Sequence, residues 1–359
     1  MIENAYGYRL VEPGRPLARH DLPPLVPGPE QVVVEVAGCG VCHTDVSFAV
    51  DGVPTRHPLP LVLGHEISGQ VVLAGDGAEK WKGRSVIVPA VVPCGKCPPC
   101  AAGRPTICRD QFMPGNHGDG GFATHVQVPG HGLCPVPAEL PSGITLEMLS
   151  VVADAVTTPL EAIRRAKLTS DDVAVFVGVG GVGGFGVQIA AAMGAAVAAI
   201  DIDRQRLELA AEHGAALILD ATKMDLKEVK QAVRDFSRSS NRPGIGLKIF
   251  ETSGTPMGQQ TAYALLGPGA HLAVVGFTPK KIELRLSNLM AFDAKAEGNW
   301  GSSPECYPLA LEMILAGKVN LESYVEFFPL DEAPSVLEAV AEHRLRRRAI
   351  LVPTKETRS

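Results

Sequence analysis

The chain has 359 residues, 46% of them hydrophobic and 20% charged, with a formal net charge of −6 at pH 7. That length exceeds what one hydrophobic core organises, so two domains are expected, with the composition of an ordinary globular protein. A net negative chain whose one dense basic run is Arg344–Arg348 lacks the clustered cations that phosphate backbones require, which excludes nucleic acid as a partner.

In chain order, the first 150 or so residues are rich in Gly and Pro and carry short β-branched runs at Gln31–Val36, Gly69–Leu73, Ser85–Val88 and Thr124–Val128. Turn signals separate these runs, so the region reads as an irregular β-rich domain. From Val156 the texture becomes strand–helix alternation. Val173–Val177 is an apolar strand, Gly184–Met193 an Ala-rich helix, Val197–Asp201 a strand and Arg204–His213 a helix. Further strands are expected at Leu217–Leu219, Leu247–Glu251 and Ala270–Val275. Alternation of this kind implies an α/β fold with a doubly wound parallel sheet. After Ala296 a mixed tail ends in the strand-like run Ala349–Val352.

The N-terminus lacks a basic region followed by an apolar core, and apolar stretches such as 189–200 are broken by glycine. Neither export nor a membrane span is expected, and a cytoplasmic location follows as an expectation.

Gly178-Val179-Gly180-Gly181-Val182-Gly183 follows the first strand of the alternating region and opens a helix. Glycines there allow a tight turn, a close approach of backbone to pyrophosphate, and helix–strand packing. Asp201 ends the next strand, where a carboxylate accepts from adenosine ribose hydroxyls and repels a 2′-phosphate, so NAD is favoured over NADP. Arg204 and Arg206 lie close enough in sequence to soften that preference.

Of eight cysteines, four form Cys94-x2-Cys97-x2-Cys100-x7-Cys108. Four thiolates at that spacing suit a tetrahedral zinc with no open position, a structural site. Gly40-Val41-Cys42-His43-Thr44-Asp45 and Gly64-His65-Glu66 supply a further thiolate and imidazole, each beside a glycine. Cys39, Cys134 and Cys306 match no ligand pattern, and His117, His125 and His131 are read as ordinary polar residues.

With these segments in this order, the chain resembles the medium-chain zinc alcohol dehydrogenases from end to end. The resemblance implies a GroES-like catalytic domain over 1–155 and a Rossmann cofactor domain over 156–296, with a return to the catalytic domain over 297–359. It also implies homo-oligomeric assembly. Alcohol dehydrogenase is the standing example of a Cys2His catalytic zinc. Here the segment that carries the third ligand reads Val151-Val152-Ala153-Asp154, so aspartate stands where cysteine is usual. Cys42, His65 and Asp154 are therefore the expected catalytic zinc ligands, and two zinc ions per chain are expected. Glu66 is either a transient or outer ligand or a hydrogen-bonding group of the fold.

By the same resemblance Thr44 takes the proton from the alcohol, Thr158 lies near the nicotinamide, and Arg206 and Arg348 lie at the cofactor, Arg348 at its pyrophosphate. Many relatives have histidine five residues after the first zinc cysteine to pass the proton onward. Here that residue is Ser47, so either Ser47 with water or His43 serves; His43 is equally open as a phosphate contact or a plain polar residue. Pro89–Cys94, Phe112–Asn116, Gly120–His125, Gly132–Pro135, Val151–Thr158 and Glu297–Trp300 resemble dehydrogenases that oxidise a ring alcohol on a cyclic acyl-CoA. Ala90 stands four residues before Cys94, where a bulky aromatic is usual, and leaves room for a ring. Arg56, Lys280 and Lys281 are candidate partners for CoA phosphates. Three other readings stay open: a dehydrogenase of another secondary alcohol, zinc-assisted addition of water to a conjugated cyclic acyl-CoA, and a catalytically silent zinc- and nucleotide-binding protein.

Overall fold

The computed structural model describes residues 1–354; the end of the expected C-terminal segment, 355–359, lies outside the described residues. The chain forms two compact units. The first comprises 1–154, 301–315 and the chain from 324 onward, and the second comprises 155–300 and 316–323.

The first unit begins with β1 (Tyr6–Leu10), β2 (Ala18–Asp21) and β3 (Gln31–Gly40), then α1 (His43–Ala49), β4 (Leu61–Val62), β5 (Glu66–Ala74) and β6 (Ser85–Val88). The short helix α2 (Pro98–Ala101) sits in the cysteine lobe, and β7 (His125–Pro129) and β8 (Cys134–Pro135) follow.

The second unit holds α3 (Thr157–Arg165), β9 (Val173–Val177), α4 (Gly183–Ala192), β10 (Ala196–Asp201) and α5 (Arg204–Glu212). It continues through β11 (Leu217–Asp220), α6 (Leu226–Ser239), β12 (Lys248–Glu251), α7 (Pro256–Ala264), β13 (His271–Val274), α8 (Ser287–Ala291) and β14 (Lys295–Gly298). The first unit then resumes with α9 (Cys306–Leu315), β15 (Val325–Pro329), α10 (Ala333–Ala341) and β16 (Arg348–Val352).

In the first unit the long sheet runs β15-β16-β3-β5-β6-β8, with β7 also paired to β3, and a smaller sheet runs β2-β1-β4. Strand β3 is the spine because Val32, Val34 and Val36 alternate onto one core with Ile67, Val71, Val86, Phe122 and Leu351. It runs on to Gly40, past the expected end at Val36. The register shifts between Val36 and Gly38, and a Cβ on Gly38 would lie 2.7 Å from the Glu147 carbonyl oxygen, so only glycine lets the strand continue there.

In the second unit six parallel strands run β11-β10-β9-β12-β13-β14. The sheet reverses direction of winding between β9 and β12, which puts a crevice outside the carboxyl ends of those strands. Every residue of β9 is buried, as helices on both faces of a parallel sheet require. The Ala-rich reading at Gly184–Met193 is helix α4, and all five strands read from Val173 onward in this unit are present within a residue or two. The expected boundary at 297 falls inside β14, whose pairing with β13 keeps the chain in this sheet to its edge. Residues 316–323 also belong to this unit, where the Asn320 N–H donates to Gln188 Oε1 and Gln188 Nε2 donates back to the Asn320 carbonyl. Among the described residues no helix is long and apolar enough to cross a membrane.

Candidate metal centre and nucleotide turn

Cys42 follows the end of β3 in extended conformation and begins α1. His65 immediately precedes β5, the neighbour of β3, Glu66 opens that strand, and Asp154 follows the 3-10 turn Met148–Ala153. Chain segments far apart in sequence thus converge in the first unit. Donor atoms of Cys42, His65, Glu66 and Asp154 all lie within 4.8 Å of one another. Asp154 Oδ2 lies 3.7 Å from Cys42 Sγ and 3.6 Å from His65 Nε2. Tetrahedral zinc with ordinary bond lengths holds such S/O and N/O pairs roughly 3.4–3.6 Å apart, so the donor set and its spacing fit a zinc ion.

The electrostatics point the same way. His65 is 2% exposed and sits among the carboxylates of Asp45 and Asp154. Burial pulls its pKa down, yet Asp45, Asp154 and Cys42 outweigh burial and raise it well above the ordinary value. The pocket is one that asks for positive charge.

Asp45 is a residue that sequence reasoning quoted without giving it a role. It is 1% exposed, its Oδ2 accepts from the Cys42 N–H at 2.9 Å, and its Oδ1 accepts from the Gly64 N–H at 3.1 Å. The same Oδ1 lies 3.4 Å from His65 Nδ1, which makes no hydrogen bond. One carboxylate therefore ties together the backbones that present Cys42 and His65 and places a negative charge behind the imidazole. Its signal was local: Asp at the third position of a helix whose cap is Cys42.

Glu66 is fully buried, and both its oxygens accept from Arg348, one of them from Nε at 3.0 Å and the other from Nη2. Burial pushes the Glu66 carboxyl up to about 7 against the pull of the guanidinium, while burial lowers Arg348, an effect that Glu66 more than offsets, raising the guanidinium well above its usual value. Charge-assisted contacts from a two-pronged donor make this an ion pair. Of the readings left open for Glu66, the fold-bonding one describes this geometry. Arg348, expected at a pyrophosphate, places Nε and Nη2 on Glu66 inside the first unit. The reason is topological: β16 pairs with β3 and β3 with β5, so Arg348 and Glu66 meet across Gly40, the register partner of Glu66. A Cβ on Gly40 would fall 2.0 Å from Glu66 Oε2. Glycine is what makes room for the pair.

Around the centre, Thr44 Oγ1 lies 3.7 Å from Cys42 Sγ. Ser47, with water one of the two candidates for passing the proton on, donates its hydroxyl to the His43 carbonyl at 3.0 Å and is 6% exposed. That bond, one turn back along α1, turns the hydroxyl proton into the helix rather than outward. The His43 ring stacks on His343 with centroids 5.0 Å apart. Ala90 is buried, with its N–H directed to the Ala153 carbonyl, adjacent to Asp154.

In the cysteine lobe the sulfur donor atoms of Cys94, Cys97, Cys100 and Cys108 also lie within 4.8 Å of one another. Cys97 Sγ is 3.5 Å from Cys100 Sγ and 3.6 Å from Cys108 Sγ, too far for a disulfide near 2.05 Å. Backbone N–H groups of Cys94 and Cys97 donate to Cys108 Sγ and Cys94 Sγ, and such donors stabilise thiolate. Hydrogen bonds from backbone lower the Cys97 pKa to about 6. Burial raises that of Cys108 to about 12. Four sulfurs crowded this closely, with backbone N–H groups aimed at two of them, form a set that gives up thiol protons for a metal ion.

In the second unit the glycine turn joins β9 to α4. Gly178 has φ of +88°, a left-handed conformation, and a Cβ on Gly183 would lie 1.9 Å from the Gly178 carbonyl oxygen. The turn is closed by the Gly184 N–H donating to the Gly180 carbonyl, which leaves Gly181, Val182 and Gly183 at the opening of the helix, where backbone N–H groups have no intrahelical acceptor. Asp201 ends β10. Its Oδ1 accepts from Ile202 and Asp203 N–H, and its Oδ2 accepts from Val179 N–H at 2.7 Å, inside the turn. Oδ2 thus keeps one lone pair for a further donor. The Arg206 guanidinium lies against the open face of Gly180, 3.4 Å from where a Cβ would be. Thr158, in α3, is buried, and its carbonyl accepts from Asn299 Nδ2. Arg56, Lys280 and Lys281 are exposed.

Residues 28–138 match the alcohol dehydrogenase GroES-like domain and residues 181–316 the zinc-binding dehydrogenase family. An alcohol dehydrogenase of Rhizobium meliloti (strain 1021) is 30% identical over 340 residues, 94% of this chain and 96% of the relative. The galactitol 1-phosphate 5-dehydrogenase of Escherichia coli (strain K12) is 26% identical, covering 83% of this chain and 88% of the relative. The crystal structure of the alcohol dehydrogenase from Aeropyrum pernix superposes with a TM-score of 0.85 at 29% identity, over 97% of this chain and 100% of that one. Fold, motif order and these similarities agree: the chain belongs to the medium-chain zinc-type alcohol dehydrogenase family, and its activity is that of a zinc-dependent alcohol dehydrogenase.

Proposed function

We propose that the protein oxidises a secondary ring alcohol carried on a cyclic acyl-CoA to the ketone, with NAD as the hydride acceptor. The observation that carries the catalytic part is the triangle of Cys42 Sγ, His65 Nε2 and Asp154 Oδ2, with Glu66 drawn off by Arg348. Three protein donors leave a tetrahedral ion one place for substrate. Zinc held there supplies a Lewis acid for the alcohol oxygen, and bound NAD supplies the acceptor for hydride. Cys42 and Asp154 bring two negative charges and His65 none, which neutralises the ion while the oxygen donor leaves it more acidic than a second sulfur would. Asp45 holds the backbones of Cys42 and Gly64 beside the imidazole, and Thr44 Oγ1 would accept the O–H of the alcohol and pass its own proton on to water. Gly181, Val182 and Gly183 present N–H groups to a pyrophosphate, and Asp201 Oδ2 accepts from a ribose hydroxyl, which favours NAD over NADP.

The four-cysteine lobe is proposed to hold a second, structural zinc, for two ions per chain. A homo-oligomer in the cytoplasm completes the reading. The substrate rests on the segments around Pro89–Cys94, Gly120–His125 and Val151–Thr158, which resemble 6-hydroxycyclohex-1-ene-1-carbonyl-CoA dehydrogenase, and on the small Ala90 beside Ala153. A kinetic panel tests it: cyclohexenol carboxylates as CoA thioesters, the free ring alcohols, and a polyol phosphate. Binding energy from a remote carrier raises turnover as well as affinity, so kcat/KM is expected to be at least about tenfold higher for the thioester. Equal or better use of the free alcohols would remove CoA from the substrate.

A further inference from the structure

Within the second unit a cavity of about 300 Å³ opens at the amino-terminal ends of the parallel strands. Its walls include Val173, the first residue of β9, and Leu247, which precedes β12. The glycine turn follows the opposite end of β9, so roughly 15 Å of strand separates the two places. This cavity is no part of the nucleotide crevice.

Its composition is particular. From α6, Lys230, Val233, Arg234, Ser237 and Arg238 all line it. That spacing makes one stripe along the helix. Three cations at four-residue intervals on one stripe repel one another, and Asp235 answers one of them, 3.8 Å from Arg238 Nη1. Arg242 adds a fourth cation, steadied by a 2.7 Å bond from Nη1 to the Ser170 carbonyl. Beneath the cations the lining is apolar, formed by Leu265, Leu266 and Phe292, with Val233 fully buried behind them. Beside the rim, between the lining residues Gly244 and Gly246, Ile245 is 82% exposed.

We propose that this cavity binds a small amphiphilic anion, an apolar body bearing a phosphate, sulfonate or carboxylate, independently of the nucleotide. The cations supply the attraction and the apolar floor receives the body, while the volume suits a molecule of one or two rings. The like-charged stripe, costly to the bare helix, is relieved when the anion is seated. An inorganic anion would satisfy the cations and leave the floor wet.

The test is a titration of the full-length protein, saturated with NAD, with 1-anilinonaphthalene-8-sulfonate, read by fluorescence at low and high salt. One saturable site is expected to persist under NAD and to weaken with salt. Lys230→Glu with Arg234→Glu should weaken it about tenfold or more while NAD affinity stays unchanged. Ser237→Trp, which fills the cavity without altering charge, should abolish it. Loss of all dye binding on addition of NAD, or undiminished binding by both variants, would overturn the proposal. Sedimentation of the protein with phosphatidylglycerol vesicles, lost in the charge-reversed variant, would overturn a free metabolite in favour of a membrane headgroup.

Discussion

Asp45 works through the residues it touches. Replacing it by Asn keeps one acceptor oxygen but turns an N–H2 toward either the Cys42 or the Gly64 N–H, both of which now donate to the carboxylate. Asp45→Asn is therefore expected to weaken metal affinity about 10- to 100-fold, measured by competition with a chromophoric chelator, with Asp45→Glu restoring part of it. Affinity equal to wild type would place Asp45 outside the centre. The Arg348–Glu66 pair makes a different kind of prediction. Arg348→Met leaves a carboxylate buried and uncompensated, a loss of about 3–5 kcal/mol. Adding Glu66→Gln should recover most of it, because the stranded charge is gone, as denaturant midpoints of the two variants would reveal. At the cofactor, Asp201→Ser removes both the acceptor for ribose and the repulsion of a 2′-phosphate. NAD should bind more weakly and the preference over NADP should shrink, read as the ratio of kcat/KM values; an unchanged ratio would remove Asp201 from that role.

Among the elements, the β9–glycine turn–α4 unit was legible because its cues are local: an unbroken apolar strand, glycines at fixed offsets and an Ala-rich helix. The polar strands were not. β2 reads Ala-Arg-His-Asp and is largely exposed, and the edge strand β14 reads Lys-Ala-Glu-Gly. Both exist through pairing with a neighbour rather than through alternation, so no periodicity announces them. The charged pair was illegible for a related reason: Glu66 and Arg348 are distant in the chain and meet only when β16, β3 and β5 line up. The turn itself carries a prediction. Gly183→Ala forces a methyl to within 1.9 Å of the Gly178 carbonyl oxygen, so helix and strand must separate. A cost of about 1–3 kcal/mol and loss of NAD binding are expected, seen in thermal unfolding and cofactor titration. Wild-type NAD affinity in that variant would contradict the packing argument.

Across the whole molecule, the sequence carried the fold class and the order of the motifs, because strand–helix alternation and cysteine spacing survive in one dimension. It did not carry the partners of Ser47 and Arg348, whose bonds are made by a helix turn and by sheet register. The account stands on Asp154 serving as a zinc ligand where family resemblance expects sulfur. The most direct measurement is the zinc content per chain of the wild type and of Asp154→Ala, by plasma mass spectrometry after dialysis against a mild chelator. Two ions are predicted for the wild type and one, with turnover lost, for Asp154→Ala. Equal metal content and undiminished turnover in the two proteins would contradict it.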